Sequence, residues 1–163
     1  MARVLIVGCG CRGRSLAAAL IAEGYAVRGT TRDRERLPAI TAVGAEGGIA
    51  DPDRLATVTP LLEGVSELCW LMGSATGAPE QVEALHGPRL RSLLETLIDT
   101  HVRGVVYEAA GGAEGSLRAR GVDTVREIGQ THHMPVSVVD VTPGELDVWL
   151  AAMTGAVGEV LRP

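Results

Sequence analysis

Four branched apolar residues, Val4-Leu5-Ile6-Val7, run straight into Gly8-Cys9-Gly10-Cys11-Arg12-Gly13. A short, unbroken apolar run suits a strand covered on both faces, as in a parallel sheet. Three glycines at this spacing then specify a sharp turn from strand into helix. Gly8 permits the turn, Gly10 lets the backbone approach a ligand closely, and Gly13 lets the new helix lie against the strand. The pattern reads as the first βα unit of a doubly wound sheet.

The rest of the chain alternates in the same way. Strands are expected over 26–30, 45–50, 67–72, 105–109 and 136–141. A first helix is expected over 15–23, stopped by Gly24, and a short one over 35–43. Asp51-Pro52 reads as a cap followed by proline at the first helical position, opening a helix to Leu62. A loop is expected over 73–79. The 89–101 segment carries Leu90, Leu93, Leu94, Leu97 and Ile98 on one helical face. The 111–115 loop leads to a helix ending near Thr131. Thr142-Pro143-Gly144-Glu145 is a capping box for a last helix to about Leu161. Six βα units fill the 163 residues. The expected fold is a single doubly wound parallel sheet of the Rossmann type, about six strands with helices on both faces. It forms one domain over 1–163, with no separate substrate domain.

Composition removes several functions. All 15 basic residues are Arg, so no Lys serves as a base, Schiff-base former or phosphate-loop lysine. There is no Phe, and the aromatic set is Tyr25, Trp70, Tyr107 and Trp149. So few stacking platforms, with a net charge of -5, argue against nucleic acid as a partner. No apolar run approaches the roughly 20 residues needed to span a bilayer, so no membrane association is expected. Three sparse cysteines point to a reducing, cytoplasmic setting.

The glycine loop points to a dinucleotide, whose pyrophosphate would meet the free amides at the helix start. NAD sites usually carry an acidic residue at the end of the second strand. Here that place reads Arg28-Gly29-Thr30-Thr31-Arg32, with Asp33 one residue later. Thr31 and Arg32 suit a 2′-phosphate, and Arg12 is expected to add to them, so NADP is expected ahead of NAD. The competing reading makes Arg32, Arg34 and Arg36 a solvated basic face. Cys9 and Cys11 are read as small side chains that fit beneath the pyrophosphate, with a redox-sensitive thiol as the alternative. The histidines, including His132-His133, lack a spaced ligand set, so no metal is expected and His86 and His101 are placed at helix ends. Trp70 and Trp149 are read as packing anchors. Tyr107, Glu108 and Asp140 are the acid/base groups nearest the carboxyl edge of the sheet.

These segments resemble atypical members of the extended short-chain dehydrogenase/reductase superfamily, including NmrA-like proteins. The likeness rests on residues 4–10, on Val27-Arg28-Gly29-Thr30-Thr31-Arg32-Asp33, on Gly44-Ala45-Glu46 with Ile49-Ala50-Asp51 and Leu55, and on 89–110. It implies that Asp51 lies near an adenine. The expected cofactor set is Gly8, Gly10, Cys11, Arg12, Gly13, Thr31, Arg32, Asp51, Met72 and Gly73. The resemblance also implies a catalytic Ser at the end of the fifth strand and a later Tyr-x-x-x-Lys. Here the fifth strand ends in Tyr107-Glu108-Ala109-Ala110, no Tyr follows, and Lys is absent. The expectation is therefore an oxidoreductase-like NAD(P)-binding protein without that proton-transfer set and with no assigned catalytic residue. The alternatives are a non-catalytic redox sensor or regulatory module and, third, the cofactor domain of a β-hydroxyacid-type dehydrogenase. A small-molecule substrate stays open, and a homodimer would cover apolar surface.

Overall fold

The computed structural model describes residues 1–110, 115–141 and 144–163. The first half of the chain runs β1 (Arg3–Val7), α1 (Cys11–Ala22), β2 (Ala26–Thr31), a 3₁₀ turn (Arg34–Arg36), α2 (Leu37–Ala42), β3 (Glu46–Ile49), α3 (Leu55–Val58) and a second 3₁₀ turn (Thr59–Leu62). The second half runs β4 (Glu67–Trp70), α4 (Pro79–Leu85), α5 (Pro88–Leu97), β5 (Gly104–Glu108), α6 (Gly115–His132), β6 (Val136–Val139) and α7 (Leu146–Val160). The six strands form one sheet in the order β3-β2-β1-β4-β5-β6, and every neighbouring pair is parallel. This is the doubly wound order, and the expected fold class is the one observed. The winding reverses between β1 and β4, which is where such sheets open a crevice at their carboxyl edge.

The central strands β1, β4 and β5 feed two cores because their side chains alternate. On one face Leu5, Val7, Leu68, Trp70, Val105 and Tyr107 pack with the leucines of α5 and with Val125 and Ile128 of α6. On the other face Val4, Ile6, Cys69 and Val106 pack with Leu16 and Leu20 of α1 and with Trp149, Met153 and Val157 of α7. The two tryptophans therefore serve one face each, and both are fully buried, as packing anchors should be. Tyr107 is buried beside Trp70's face, and α6 lies over it at Gly121, where a Cβ would overlap the phenol oxygen.

Local differences from the sequence expectation have local causes. The first helix starts at Cys11, four residues earlier than expected, with Gly10 as its N-cap. The helix expected from Asp51 begins only at Leu55. Asp51 instead folds an Asx turn: its carboxylate accepts the Asp53 N–H at 3.0 Å and its carbonyl accepts the Arg54 N–H at 2.8 Å. The expected 89–101 helix runs Pro88–Leu97, and the Thr100 hydroxyl closes its end by donating to the Leu97 carbonyl at 2.6 Å. Helix α4, seven residues from Pro79, falls where no element was expected before residue 89. Strand β6 ends at Val139 rather than at 141. The Thr142-Pro143 part of the capping box and residues 111–114 lie outside the described residues.

Glu67 opens β4 between Val4 and Gly104, fully buried, and its two carboxyl oxygens have no hydrogen-bond partner among the described residues. Burial pushes its pKa up to about 9, with the Arg103 charge opposing only part of the shift. Unfolded, the group ionises near 4.5. Between these values the unfolded chain has lost a proton that the folded chain keeps, so stability falls as pH rises from about 4.5 to about 9. Glu67→Gln, which cannot ionise, should therefore raise stability at pH 8 by a few kcal/mol, because each pH unit above the unfolded value costs the parent about 1.4 kcal/mol. The gain should vanish near pH 4, as read from thermal unfolding across that range.

Candidate functional site

The β1–α1 turn sets the site. Gly8 has φ +92°, a conformation that side chains other than glycine rarely adopt, and a Cβ there would stand 2.6 Å from the Leu71 carbonyl oxygen. Its N–H donates to Thr30 Oγ1 at 3.3 Å, and the Cys9 N–H donates to the Thr30 carbonyl at 3.0 Å, which ties the turn to β2. A Cβ at Gly13 would sit 2.9 Å from the Gly8 carbonyl oxygen, so α1 can lie this close to β1 only with glycine there. Gly10 differs from both. Among the described residues a Cβ there would meet no protein atom within 4 Å, so their packing gives no reason for its glycine. Among the described residues no side chain caps α1, which leaves its first amides as donors for an anion.

A cleft of about 280 Å³ opens beside this turn at the carboxyl edge. It brings together Gly8, Gly10, Thr31, Arg32, Asp51 and Met72 from the expected cofactor set. It also gathers Arg36, read from the sequence only as part of a basic face, and Asp53, Ser74, Thr76 and Gln81, which the sequence did not single out. Periodicity could not have found these, because they sit in turns and in the short helix α4. Cys11, Arg12, Gly13 and Gly73 do not line the cleft. Cys11 is exposed at the first position of α1. Cys9, expected beneath a pyrophosphate, also lines the cleft but is buried and points its sulfur at Gly29, where a Cβ would come within 2.6 Å. Burial holds its thiol up near 11 against the pull of Arg14, so it is a protonated filler between α1 and β2.

The acids around the cleft are already engaged. Asp33 accepts the Glu35 N–H at 2.9 Å and lies 3.8 Å from Arg36 Nε. Asp51 is held in its turn, and Asp53 faces Arg89 at 3.6 Å. Arg32 forms no ion pair among the described residues. Arg28, in the same motif, is not a cleft residue: it is buried, donating to the Leu61 carbonyl at 2.5 Å and the Glu63 carbonyl at 3.0 Å and pairing with Glu46.

A second polar group lies past the cleft, at the end of β5. Glu108 is fully buried; its Oε2 accepts the Trp149 indole N–H at 2.8 Å and Arg12 Nη1 at 2.5 Å. Arg12 Nη2 donates to Ser74 Oγ at 3.0 Å, and its guanidinium carbon stands 5.0 Å from the Trp149 ring centroid. Gly73 is needed for this closeness, because a Cβ there would overlap the Ala110 carbonyl oxygen. Arg12, expected beside a 2′-phosphate, is thus turned toward β5. On the opposite face Tyr107 and His86 form a neutral pair. The His86 Nε2–H donates to the Met72 carbonyl at 3.2 Å, which leaves Nδ1 to accept the Tyr107 O–H at 2.6 Å. Burial lowers the His86 pKa and raises that of Tyr107, so neither group charges readily. Among the described residues no group of three or more His, Cys, Asp or Glu is placed to hold a metal, and no helix is long and apolar enough to cross a membrane.

Sheet order, glycine turn and edge cleft together define a Rossmann-type α/β domain. Solved structures share this fold. A short-chain dehydrogenase/reductase superfamily protein from Agrobacterium tumefaciens, with bound NAD, is 20% identical with a TM-score of 0.69, over 83% of this chain and 48% of that one. UDP-glucuronic acid 4-epimerase from Bacillus cereus, in complex with NAD, is 15% identical with a TM-score of 0.65, over 83% and 55%. A putative NAD-dependent epimerase/dehydratase from Bacillus halodurans is 15% identical with a TM-score of 0.67, over 88% and 71%. The chain spans about half the length of the first two. No protein-family model and no curated protein sequence matches it.

The contrast between the glycines is measurable without any ligand. Gly13→Ala should cost about 1–3 kcal/mol, the scale of overpacking against fixed backbone. Gly10→Ala should cost less than about 1 kcal/mol, the scale of a changed helix cap. Denaturant unfolding of the two variants checks the order.

Proposed function

We propose that this chain binds a nicotinamide dinucleotide in the edge cleft, with the pyrophosphate on the first turn of α1, and that it prefers NADP to NAD. The carrying observation is Gly10: glycine is present where the packing of the described residues does not require it, at the uncapped start of a helix. The residues fit the group. Gly8 and Gly10 give backbone that a diphosphate can approach, and Asp51 sits in the cleft where an adenosine would lie. Two of the neighbours in fold hold NAD.

The NADP preference rests on charge. Arg32 and Arg36 line the cleft beside Thr31, while Asp33, the acid nearest the end of β2, caps the following turn. That arrangement offers donors to a 2′-phosphate and no free carboxylate at Asp33 for ribose hydroxyls.

When bound, the nicotinamide ring would supply hydride chemistry. The chain's own residues would bind and orient it. Where the resembled superfamily carries a catalytic serine, this chain has Glu108-Ala109-Ala110, with the carboxylate sealed against Arg12 and Trp149. The buried pair near that edge, Tyr107 and His86, lies on the other face of the sheet from Glu108. This favours the second reading, a dinucleotide-binding sensor or regulatory module, for what these residues do unaided.

Titration with NADPH and NADH, followed by nicotinamide fluorescence, should show tighter binding of NADPH. Arg32→Asp should weaken NADPH binding by about 10–100-fold, the equivalent of one lost charge-assisted hydrogen bond, and leave NADH little changed. Equal affinities that the substitution leaves unchanged would remove the NADP preference. No binding of either would remove the dinucleotide site.

A further inference from the structure

The cleft stops short of β5. Its lining reaches Ser74 on the loop after β4 and includes neither Arg12, Gly73 nor Glu108. A dinucleotide laid on the glycine turn has to carry its second half from β1 across the switch point toward the ends of β4 and β5. Arg12 lies across that line. It leaves the first turn of α1, touches Ser74 after β4, and ends on Glu108 at the tip of β5, over the Trp149 ring.

Resting on the nucleotide reading above, we propose that Arg12 is a latch: closed on Glu108, Trp149 and Ser74, it restricts the cleft to the adenosine-phosphate half, and the nicotinamide half enters only by displacing it. The latch is anchored in the core at Glu108 and Trp149. Glu108 has no exposure, while the Arg12 side chain keeps 23%, so the anion is fixed and the cation is the part able to swing. When Arg12 leaves, Glu108 retains the Trp149 indole N–H as its one remaining donor among the described residues. An otherwise unpaired buried carboxylate is costly, so the open state is disfavoured until a ligand compensates. A ligand contacting only the cleft, up to Ser74, makes no demand on Arg12. A complete dinucleotide does, and its affinity is reduced by the scarcity of the open state.

The test compares adenosine 2′,5′-bisphosphate, which lacks the nicotinamide half, with oxidised NADP by calorimetric titration of the whole chain. The parent protein should bind NADP no more than about threefold tighter than the bisphosphate. Arg12→Leu combined with Glu108→Gln removes the ion pair without stranding a charge, and should shift the affinity ratio at least tenfold toward NADP. Ser74→Ala removes only the exposed arm of the latch and should shift the ratio the same way by a smaller factor, which keeps the test decisive if the double variant does not fold. Oxidised NADP, but not the bisphosphate, should also change the emission of Trp149 as the guanidinium leaves its ring. A parent that binds NADP tenfold or more tighter than the bisphosphate, or ratios unchanged in the variants, would overturn the latch and leave the nucleotide site standing. Failure of both ligands to bind would overturn the nucleotide reading, and the latch with it.

Discussion

The Gly8 carbonyl oxygen and the α-carbon of Gly13 lie so close that a Cβ would stand 2.9 Å from that oxygen. This contact sets α1 against β1, and the position of α1 governs much else. It places Leu16 and Leu20 in the core that they share with Trp149 and Met153 of α7. It aims the uncapped helix start at the carboxyl edge. It also throws Arg12, in the first turn, across the switch point to Glu108. On the other side of the same turn, Gly8 abuts the Leu71 carbonyl after β4, and Cys9 fills the space that Gly29 leaves on β2. Packing and site are thus consequences of one tight connection.

Most of the sheet was legible because its signals are local. Val4-Leu5-Ile6-Val7 and the glycine spacing specify a buried strand and a turn, and β4, β5 and β6 are short, mainly apolar runs between turn residues. Helix α5 was legible from its leucine face, but its end was not, because a hydroxyl cap at Thr100 outweighed the apolar Ile98. The start of α3 was misplaced because Asp51-Pro52 fits a helix cap and an Asx turn equally well. Helix α4 has only seven residues, too few for periodicity to register.

The candidate site was legible in part for the same reason. Gly8, Gly10, Thr31, Arg32 and Asp51 belong to local motifs and meet at one cleft. The partners of Arg12 could not be read, since Glu108 is 96 residues away and Trp149 lies on the last helix. Composition sharpened in meaning once the structure was known. With no Phe, the two tryptophans each anchor one core, and Trp149 also holds the carboxylate at the end of β5. The all-arginine cation set gives that carboxylate a planar partner able to fork and to stack, which an ammonium cannot do.

The central claim is that an anion sits on the first turn of α1 beside the arginines at the end of β2. Backbone amide chemical-shift mapping on adding oxidised NADP tests it most directly. The largest shifts are expected at the amides of Gly10, Cys11, Arg12 and Gly13, with a second group at Thr31 and Arg32. Shifts confined to the amino edge of the sheet, around Tyr25 and Glu46, or no shifts at saturating ligand, would contradict it.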